Sequence, residues 1–547
     1  MSDPTPHAAG TPPDEPITPE QLAAAEAVIG LNFTPQERDL MRKGVAEHRA
    51  QYAQLRALEI PNSLPPAFHF DPRLPTGQAG RPPRRPLTVS PTALPPLPAN
   101  LEELAFAPVT VLAELLRTRQ VTATQLTEMY LARLKRHDPA LACVVTLTED
   151  RARAQAAQAD AEIAAGRYRG PLHGIPWGIK DLFATRGYPT TWGAPPFQHQ
   201  QIDLDATVVQ RLDDAGAVLV AKLSVGALAW GDVWFGGTTK SPWNLEHGSS
   251  GSSAGSGAAT AAGLAGFAIG TETYGSIVSP AHACGITGLR PTFGRVSRHG
   301  AMTLAWTLDK IGPMCRSVED CALVLDAIRG PDGLDPTVVD APFDFTPRAD
   351  LSGLRIGYLR GDFDAPAADS KTAETHMQDA QSLALLRELG ARLIPMDLPD
   401  FPAEALEILL WAETAAAFDE LTRSNRDDEL TLQIEDAWPN KWRVARLIPA
   451  VEYLQANRLR TRLMAEMARR MDVVDLYVTP TQGRSLWITN ATGHPQIALP
   501  NGFRANGLPS TISLVGRLYD EATLLAAAHA VQQATDFHRQ IPPLFAP

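Results

Sequence analysis

The stretch His247-Gly-Ser-Ser-Gly-Ser-Ser-Ala-Gly-Ser-Gly257 and its continuation Gly270-Thr-Glu-Thr-Tyr-Gly-Ser276 differ in composition from the rest of the chain. Both lie in the window His247–Leu289, whose 43 residues are rich in Gly, Ser and Ala and include one formal charge, Glu272. Small residues let a backbone approach a substrate closely, and glycine permits turns that aim several N–H groups at one point. Because such N–H groups stabilise an oxyanion, the window is a candidate site for catalysis by a serine nucleophile.

A flexible Gly/Ser linker is the alternative interpretation of this window. The nearly apolar run Ala258–Gly270 within it would leave hydrophobic surface in solvent, which favours packed structure instead. That run has 13 residues, whereas a membrane-spanning helix needs about 20. Met1–Pro16 lacks the basic and apolar regions of a signal peptide. We therefore expect no membrane span and a cytoplasmic protein.

A lysine upstream of the window is the candidate base. A serine is a weak nucleophile until another group takes its proton. In Leu172-His-Gly-Ile-Pro-Trp-Gly-Ile-Lys180-Asp181, the lysine ends an apolar run. Burial disfavours the ammonium form and lowers the pKa of a lysine, so Lys180 is predicted to act as a neutral general base.

The remainder of the chain indicates the fold class and excludes some functions. Short apolar runs alternate with helical patterns from about residue 101 onward, which predicts an α/β sheet covered by helices on both faces. The net charge of −12 disfavours direct binding of nucleic acid. The four cysteines show no CxxC spacing, so we expect them to be small buried side chains and not a disulfide framework or a metal site.

The first 100 residues are predicted to be an attachment to this domain. Thr18-Pro19-Glu20-Gln21 and Thr34-Pro35-Gln36-Glu37 are capping boxes that start two helices. The predicted organisation is a disordered tail over 1–16, a helical hairpin over 17–58, a Pro-rich extended strap over 59–100 and a catalytic domain over 101–547. A third capping box begins at Thr122, and its helix is predicted to end before Pro139.

Several motifs in their order along residues 101–547 resemble the amidase signature family. They are Gly174-Ile-Pro-Trp-Gly-Ile-Lys180-Asp181, Ser250-Gly-Ser252-Ser-Ala-Gly-Ser256, Gly270-Thr-Glu-Thr-Tyr-Gly-Ser276, Cys284-Gly-Ile-Thr-Gly-Leu-Arg-Pro-Thr-Phe-Gly-Arg-Val-Ser297 and Leu308-Asp-Lys-Ile-Gly-Pro-Met314. The resemblance implies a large mixed, mostly parallel twisted sheet covered by helices on both faces, here with an N-terminal helical extension. It also implies a serine hydrolase that cleaves linear amide C–N bonds through an acyl-enzyme.

The resemblance also implies roles for individual residues. The family uses a Ser–cis-Ser–Lys triad, in which Ser276 matches the nucleophile and Lys180 the base. The bridging serine lies 24 positions before the nucleophile in the family pattern, at Ser252. The oxyanion would be held by backbone N–H groups, namely those of Thr273, Tyr274 and Gly275 together with that of the nucleophile itself.

Some positions depart from the family pattern. Glu272 stands where the family usually has Asp, Tyr274 where it often has Gly, and Val278 where it frequently has Arg. Trp230, Trp234 and Tyr274 are candidate walls of an apolar or aromatic substrate pocket, with core packing as the alternative for the two tryptophans. These departures favour apolar or aryl amides over a charged amino acid such as glutamine.

Three other functions remain open from the sequence. One is a glutaminase-type subunit of an amidotransferase, and another is a non-catalytic amidase-like scaffold. The third is an α/β-hydrolase-like esterase, since Gly251-Ser-Ser253-Ala-Gly255 fits GxSxG with His494, His529 and His538 downstream. The residues before this motif look loop-like, which disfavours the esterase.

The predicted ligand is a small amide, ester or carbamate. No cofactor, metal or nucleic acid is expected, and a homodimer is left open.

Overall fold

The computed structural model describes residues 16–58, 60, 66–68, 87–92, 94, 96–364 and 370–547. The chain divides into two compact units: an N-terminal unit, Met1–Phe70 with Asp400–Glu466, and a sheet unit, Asp71–Pro399 with Met467–Pro547. The predicted tail, apart from residue 16, and most of the predicted strap lie outside the described residues. Residues 401–466 belong to the predicted catalytic domain, whereas the structure groups them with the N-terminal hairpin.

The sheet unit is built around one sheet that has 11 strands in the described part of the chain. The strands, with those of two small hairpins, are β1 Val144–Leu147, β2 Pro176–Lys180, β3 Val218–Leu223, β4 Val233–Trp234, β5 Gly237–Thr238, β6 Lys240–Ser241, β7 Asn244–Gly248, β8 Phe267–Glu272, β9 Thr287–Arg290, β10 Lys310–Cys315, β11 Arg355–Leu359, β12 Arg392–Met396, β13 Leu476–Pro480, β14 Gln496–Phe503 and β15 Pro509–Gly516. Their order in the large sheet is β1-β3-β2-β8-β10-β9-β14-β15-β13-β11-β12.

The sheet is mixed, as expected, but the expectation of mostly parallel strands is corrected. Parallel pairing joins β2 to β3 and β8, and β11 to β12 and β13. From β8 across the centre to β13, every neighbouring pair is antiparallel. The apolar patterns predicted buried strands, but a buried strand has the same pattern in either direction, because its side chains meet helices on both sides.

Helices cover both faces of this sheet. Strands β2, β3, β8 and β10 are buried at every residue, and since alternate side chains point to opposite faces, both faces must be covered. The helices are α1 Pro19–Ile29, α2 Pro35–Arg56, α3 Val109–Arg117, α4 Ala123–Leu141, α5 Glu149–Ala164, α6 Thr207–Asp214, α7 Ala254–Ala261, α8 Val278–Cys284, α9 Val318–Ile328, α10 Arg360–Phe363, α11 Ser370–Glu388, α12 Ile408–Ala417, α13 Asp419–Arg423, α14 Trp438–Ala445, α15 Ala450–Met471, α16 Arg484–Thr492 and α17 Glu521–Gln533.

The capping boxes at Thr18, Thr34 and Thr122 all form, with both reciprocal hydrogen bonds present. Helix α4 continues through Pro139 to Leu141, past its predicted end. The proline falls in the last turn, where the loss of one N–H affects few hydrogen bonds.

In the N-terminal unit, the predicted hairpin of α1 and α2 shares a hydrophobic core with α14. Its buried members are Leu22, Phe33, Met41 and Val444. Arg443 of α14 forms ion pairs with the Glu37 carboxylate of α2 at 2.6 Å and with the Asp427 carboxylate at 2.6 Å. The hairpin is therefore packed against residues that lie about 400 positions further along the chain.

Candidate active site

Lys180 is the last residue of β2, a strand between β3 and β8, and its side chain is completely buried. Its Nζ donates hydrogen bonds to Ser252 Oγ at 2.8 Å, Thr271 Oγ1 at 2.8 Å and Ser253 Oγ at 3.1 Å. Within the described residues, no carboxylate lies at ion-pair distance from this amine. The polar groups around Lys180 Nζ are these three hydroxyls and the backbone carbonyl of Thr271, which accepts a hydrogen bond from it at 3.4 Å.

Burial lowers the pKa of Lys180 well below its ordinary value of 10.5, although the charges of Asp309 and Glu272 act in the opposite direction. A lysine whose pKa is lowered in this way is neutral over more of the working pH range, and a neutral amine can accept a proton.

Ser252 lies in the loop between β7 and α7, and the Gly251–Ser252 peptide bond is cis. Gly251 is required there, because a Cβ on it would lie 1.7 Å from the carbonyl oxygen of Gly231. The Ser252 side chain is buried against Lys180, so the structure brings these two predicted site residues together.

Ser276 lies in the turn between β8 and α8, and it is 7% exposed. Its backbone carbonyl accepts a hydrogen bond from the N–H of Ser253 at 3.2 Å. This bond joins the turn that carries Ser276 to the loop that carries Ser252. All three residues predicted for the triad therefore belong to one connected region of the sheet unit.

Glu272 holds the turn that carries Ser276. Its carboxylate is completely buried and accepts hydrogen bonds from the N–H groups of Ile277 at 2.9 Å and Val278 at 3.1 Å. Arg290 forms an ion pair with it at 2.7 Å, and Asn490 donates a hydrogen bond at 2.9 Å. Burial acts to raise the pKa of Glu272, but the positive charges of Arg290 and Lys310 outweigh it and lower the pKa to about 2.

The candidate oxyanion donors lie in the same turn. Since the N–H groups of residues 277 and 278 are occupied by Glu272, the N–H groups of 273–276 are left as candidates. Gly275 has a φ of +85°, which an L-residue rarely adopts. The Thr273 hydroxyl donates a hydrogen bond to the buried Asp309 carboxylate at 2.5 Å, which fixes the start of the turn.

The three candidate pocket residues lie in different surroundings. Trp234 is buried, donates its indole N–H to the carbonyl of Ala142 at 3.1 Å and packs against Phe235, an arrangement that favours the core-packing interpretation. Trp230 is half-buried. Tyr274 is 40% exposed, and its ring packs edge-to-face on Trp487 with centroids 4.9 Å apart.

Two buried carboxylates near the site, those of Asp309 and Asp181, were not among the predicted site residues. Asp309 binds Thr273, as described above, and Asp181 forms a completely buried ion pair with Lys222 at 2.7 Å. Asp181 directly follows Lys180 in the sequence, and Asp309 lies within Leu308-Asp-Lys-Ile-Gly-Pro-Met314. A carboxylate within an apolar run is a signal of a buried, partnered charge.

The GxSxG interpretation is disfavoured by the structure. Asn244–Gly248, predicted to be loop, forms a short strand, but it pairs in a two-stranded hairpin outside the large sheet. The Ser253 side chain is completely buried. In the part of the chain that the structure describes, it forms no hydrogen bond with His494, His529 or His538. A nucleophile elbow instead places its serine exposed at the end of a central strand.

Three further predictions concern the cysteines, metal binding and membrane crossing. All four cysteines are buried and unpaired by disulfides, which confirms the prediction of small buried side chains. Among the residues described, no group of three or more His, Cys, Asp and Glu side chains is arranged to hold a metal ion. None of the described helices has both the length and the apolar composition that crossing a bilayer requires.

A match to a family model gives the class of this protein, a hydrolase that acts on carbon–nitrogen bonds. The amidase family model matches residues 125–485, more than half of the chain. The chain belongs to the amidase signature family, which confirms the resemblance inferred from the motifs.

Individual relatives agree with this membership. A glutamyl-tRNA(Gln) amidotransferase subunit of Roseiflexus sp. is 35% identical over 480 residues, which cover 79% of this chain and 97% of that one. The crystal structure of native peptide amidase from Stenotrophomonas maltophilia superposes with a TM-score of 0.71 at 31% identity and covers 79% of this chain and 98% of its own. A bacterial aryl acylamidase of the same family has a TM-score of 0.71 at 25% identity, with 81% and 98% covered.

Proposed function

We propose that this protein hydrolyses linear amides through an acyl-enzyme on Ser276, with Ser252 as the bridging group and Lys180 as the general base. The observation that carries the proposal is the buried Lys180 amine, which lies 2.8 Å from Ser252 Oγ in a loop that is hydrogen-bonded to the backbone of Ser276. A buried amine among hydroxyl groups, with no carboxylate partner among the described residues, is suited to accept a proton.

The proposed reaction begins with two proton transfers. Neutral Lys180 takes the proton of Ser252, Ser252 takes the proton of Ser276, and Ser276 Oγ attacks the carbonyl carbon. N–H groups in the turn 273–276 stabilise the resulting oxyanion. The proton returns through Ser252 to the leaving nitrogen, and the C–N bond breaks. Water, activated by the same relay, then hydrolyses the acyl-enzyme and regenerates Ser276.

The substrate we propose is an uncharged amide with an apolar or aryl group. Val278, which is completely buried, stands at the position where the family frequently has Arg. The window His247–Leu289 contains no Lys or Arg. A charged substrate would have no cation from this segment to pair with. Esters and carbamates would be side substrates, because the same acyl-enzyme forms with an oxygen leaving group.

The second candidate function is a glutaminase-type subunit of an amidotransferase. It is favoured by the 35% identity to a protein named as a subunit of such an enzyme. The two functions differ in what they need: the amidase acts alone on apolar amides, whereas the glutaminase would release ammonia from free glutamine and copurify with partner proteins.

The test combines covalent labelling with turnover. A fluorophosphonate probe followed by peptide mass spectrometry is expected to label Ser276, and Ser276→Ala is expected to lower kcat by at least about 10³-fold. Ser352→Ala, which changes an exposed serine, is the control. Anilides, aryl carbamates, aliphatic amides and glutamine would be compared by kcat/KM. Folded protein that neither reacts at Ser276 nor cleaves any amide would support the non-catalytic scaffold instead.

A further inference from the structure

Two aromatic side chains remain exposed on segments that are tied to the turn carrying Ser276. Tyr274, two residues before Ser276, is 40% exposed, and Trp306 is 48% exposed. An exposed indole or phenol ring on a rigid backbone presents a ready surface for another ring, since little freedom is lost when a ligand stacks on it.

The ring of Tyr274 is held in place by α16. It packs on Trp487 with centroids 4.9 Å apart and planes at 63°, and the Trp487 side chain is only 2% exposed. One face or edge of the phenol is therefore fixed against the protein interior, while a substantial part of the residue stays in contact with solvent.

Trp306 is connected to the same turn through Asp309. Asp309 Oδ1 accepts the hydroxyl of Thr273 at 2.5 Å, and Asp309 Oδ2 accepts the N–H groups of Leu304 at 2.8 Å and Ala305 at 3.0 Å. The carbonyl of Trp306 accepts a hydrogen bond from Arg298 at 2.5 Å. One buried carboxylate thus fixes the backbone beside Tyr274 and the backbone beside Trp306 relative to each other.

We propose that Tyr274 and Trp306 form an aromatic subsite at the rim of the active site, which selects amides that carry an aromatic ring. The inference rests on the proposed function and names its substrate class: an anilide or another aryl amide. The ring would stack on these two side chains while its amide carbon reaches Ser276. Both side chains are uncharged, so the subsite favours a neutral ring.

The first experiment measures selectivity. Butyranilide and N-propylbutyramide share an acyl group and differ in the ring, so the ratio of their kcat/KM values reports ring recognition. Tyr274→Leu and Trp306→Leu are each expected to lower this ratio about three- to tenfold, the effect of losing one aromatic pair. Tyr274→Leu retains the backbone N–H of residue 274. Phe68→Leu, which changes a 38% exposed ring in the N-terminal unit, should leave the ratio unchanged.

The second experiment measures binding without turnover. In a Ser276→Ala background, butyranilide is expected to bind at least about threefold more tightly than N-propylbutyramide by calorimetry, and Trp306→Leu should remove the difference. Equal binding of the two amides, or a difference that survives in both leucine variants, would overturn the subsite. Amide turnover with no such preference would overturn the subsite alone, whereas ring-selective binding without any turnover by the wild-type protein would overturn the proposed function alone.

Discussion

The window around the serines and the N-terminal unit are both well packed, but different side chains pack them. In the window His247–Leu289, Gly, Ser and Ala predominate, and one charged side chain, Glu272, is buried among backbone N–H groups and two side-chain donors. In the N-terminal unit, large side chains pack on each other: Trp438 stacks on Trp442 at 5.6 Å, and Met41 is buried near Val444.

The difference shows what each region is suited to do. Small side chains bring the backbone of the Ser276 turn close to that of Ser253, so polar groups of the main chain can act on a substrate. Large apolar side chains gain free energy through buried area and offer few polar groups for chemistry. We therefore expect substitutions in the window to affect catalysis and substitutions in the N-terminal unit to affect stability.

The largest effect is expected for Lys180→Ala, which should lower kcat/KM for amides about 10²- to 10⁴-fold. Because burial lowers the pKa of Lys180, activity of the wild-type protein should fall as the pH drops through that lowered pKa and the amine becomes protonated. The variant should lack this acidic limb and show a residual rate that rises with hydroxide. Lys135→Ala, at a 50% exposed lysine, is the control, and wild-type rates in Lys180→Ala would contradict the assignment.

Glu272→Gln should destabilise the protein by about 3–5 kcal/mol, since it leaves the Arg290 guanidinium buried without its partner charge. The pKa of Glu272 lies near 2 when folded and near 4.5 when unfolded, so its contribution is complete above pH 4.5 and is lost as the pH falls toward 2. The variant should show a shallower loss of stability across that interval in denaturant titrations.

Activity distinguishes a positioning role of Glu272 from a purely structural one. Glu272 holds the N–H groups of 277 and 278 next to Ser276, so Glu272→Gln should lower kcat while KM changes less. Glu272→Asp should recover part of the lost kcat. Glu114→Gln, at an exposed pair with Arg117, should change stability by less than about 1 kcal/mol. An unchanged kcat in Glu272→Gln would show that Glu272 contributes to stability and does not position Ser276 for catalysis.

Met41→Ala tests the other side of the comparison. Met41 is completely buried in the core between the hairpin and α14, and truncation of such a side chain costs about 2–5 kcal/mol. Thermal unfolding should therefore begin at a lower temperature, while kcat/KM below that temperature should remain that of the wild type. Met377→Ala, at a 58% exposed methionine, is the matched control. A loss of kcat/KM in folded Met41→Ala would show that the two regions are not separate in function.

Much of the fold was predictable, because its signals are local. The capping boxes gave the starts of α1, α2 and α4, and the apolar run that ends at Lys180 located β2. Strand β8 was not predicted, since Phe267–Glu272 follows a continuous Ala-rich run without alternation or a turn signal. The antiparallel centre and the pairing of the hairpin with Asp400–Glu466 depend on contacts between distant segments, which no local pattern encodes.

Within the site, the order of the motifs was enough to name Lys180, Ser252 and Ser276 as candidates. The partners of Glu272 could not be predicted, because Arg290 and Asn490 come from different elements that the sheet and α16 bring together. Trp487 and Trp306 were missed for a similar reason: an aromatic residue in the sequence gives no signal of whether it will be buried or exposed.

The smallest effect is expected for Ser253→Ala, which separates the GxSxG interpretation from the triad. Ser253 Oγ accepts a hydrogen bond from Lys180 at 3.1 Å and donates one to the carbonyl of Thr271 at 3.1 Å, so it orients the lysine amine without being the nucleophile. Loss of this hydroxyl removes one of several partners of Nζ, and kcat should fall about tenfold or less, the value of one hydrogen bond. The fluorophosphonate probe should still label Ser276. Abolished turnover and labelling in Ser253→Ala, with Ser276→Ala still active, would reverse the roles of the two serines.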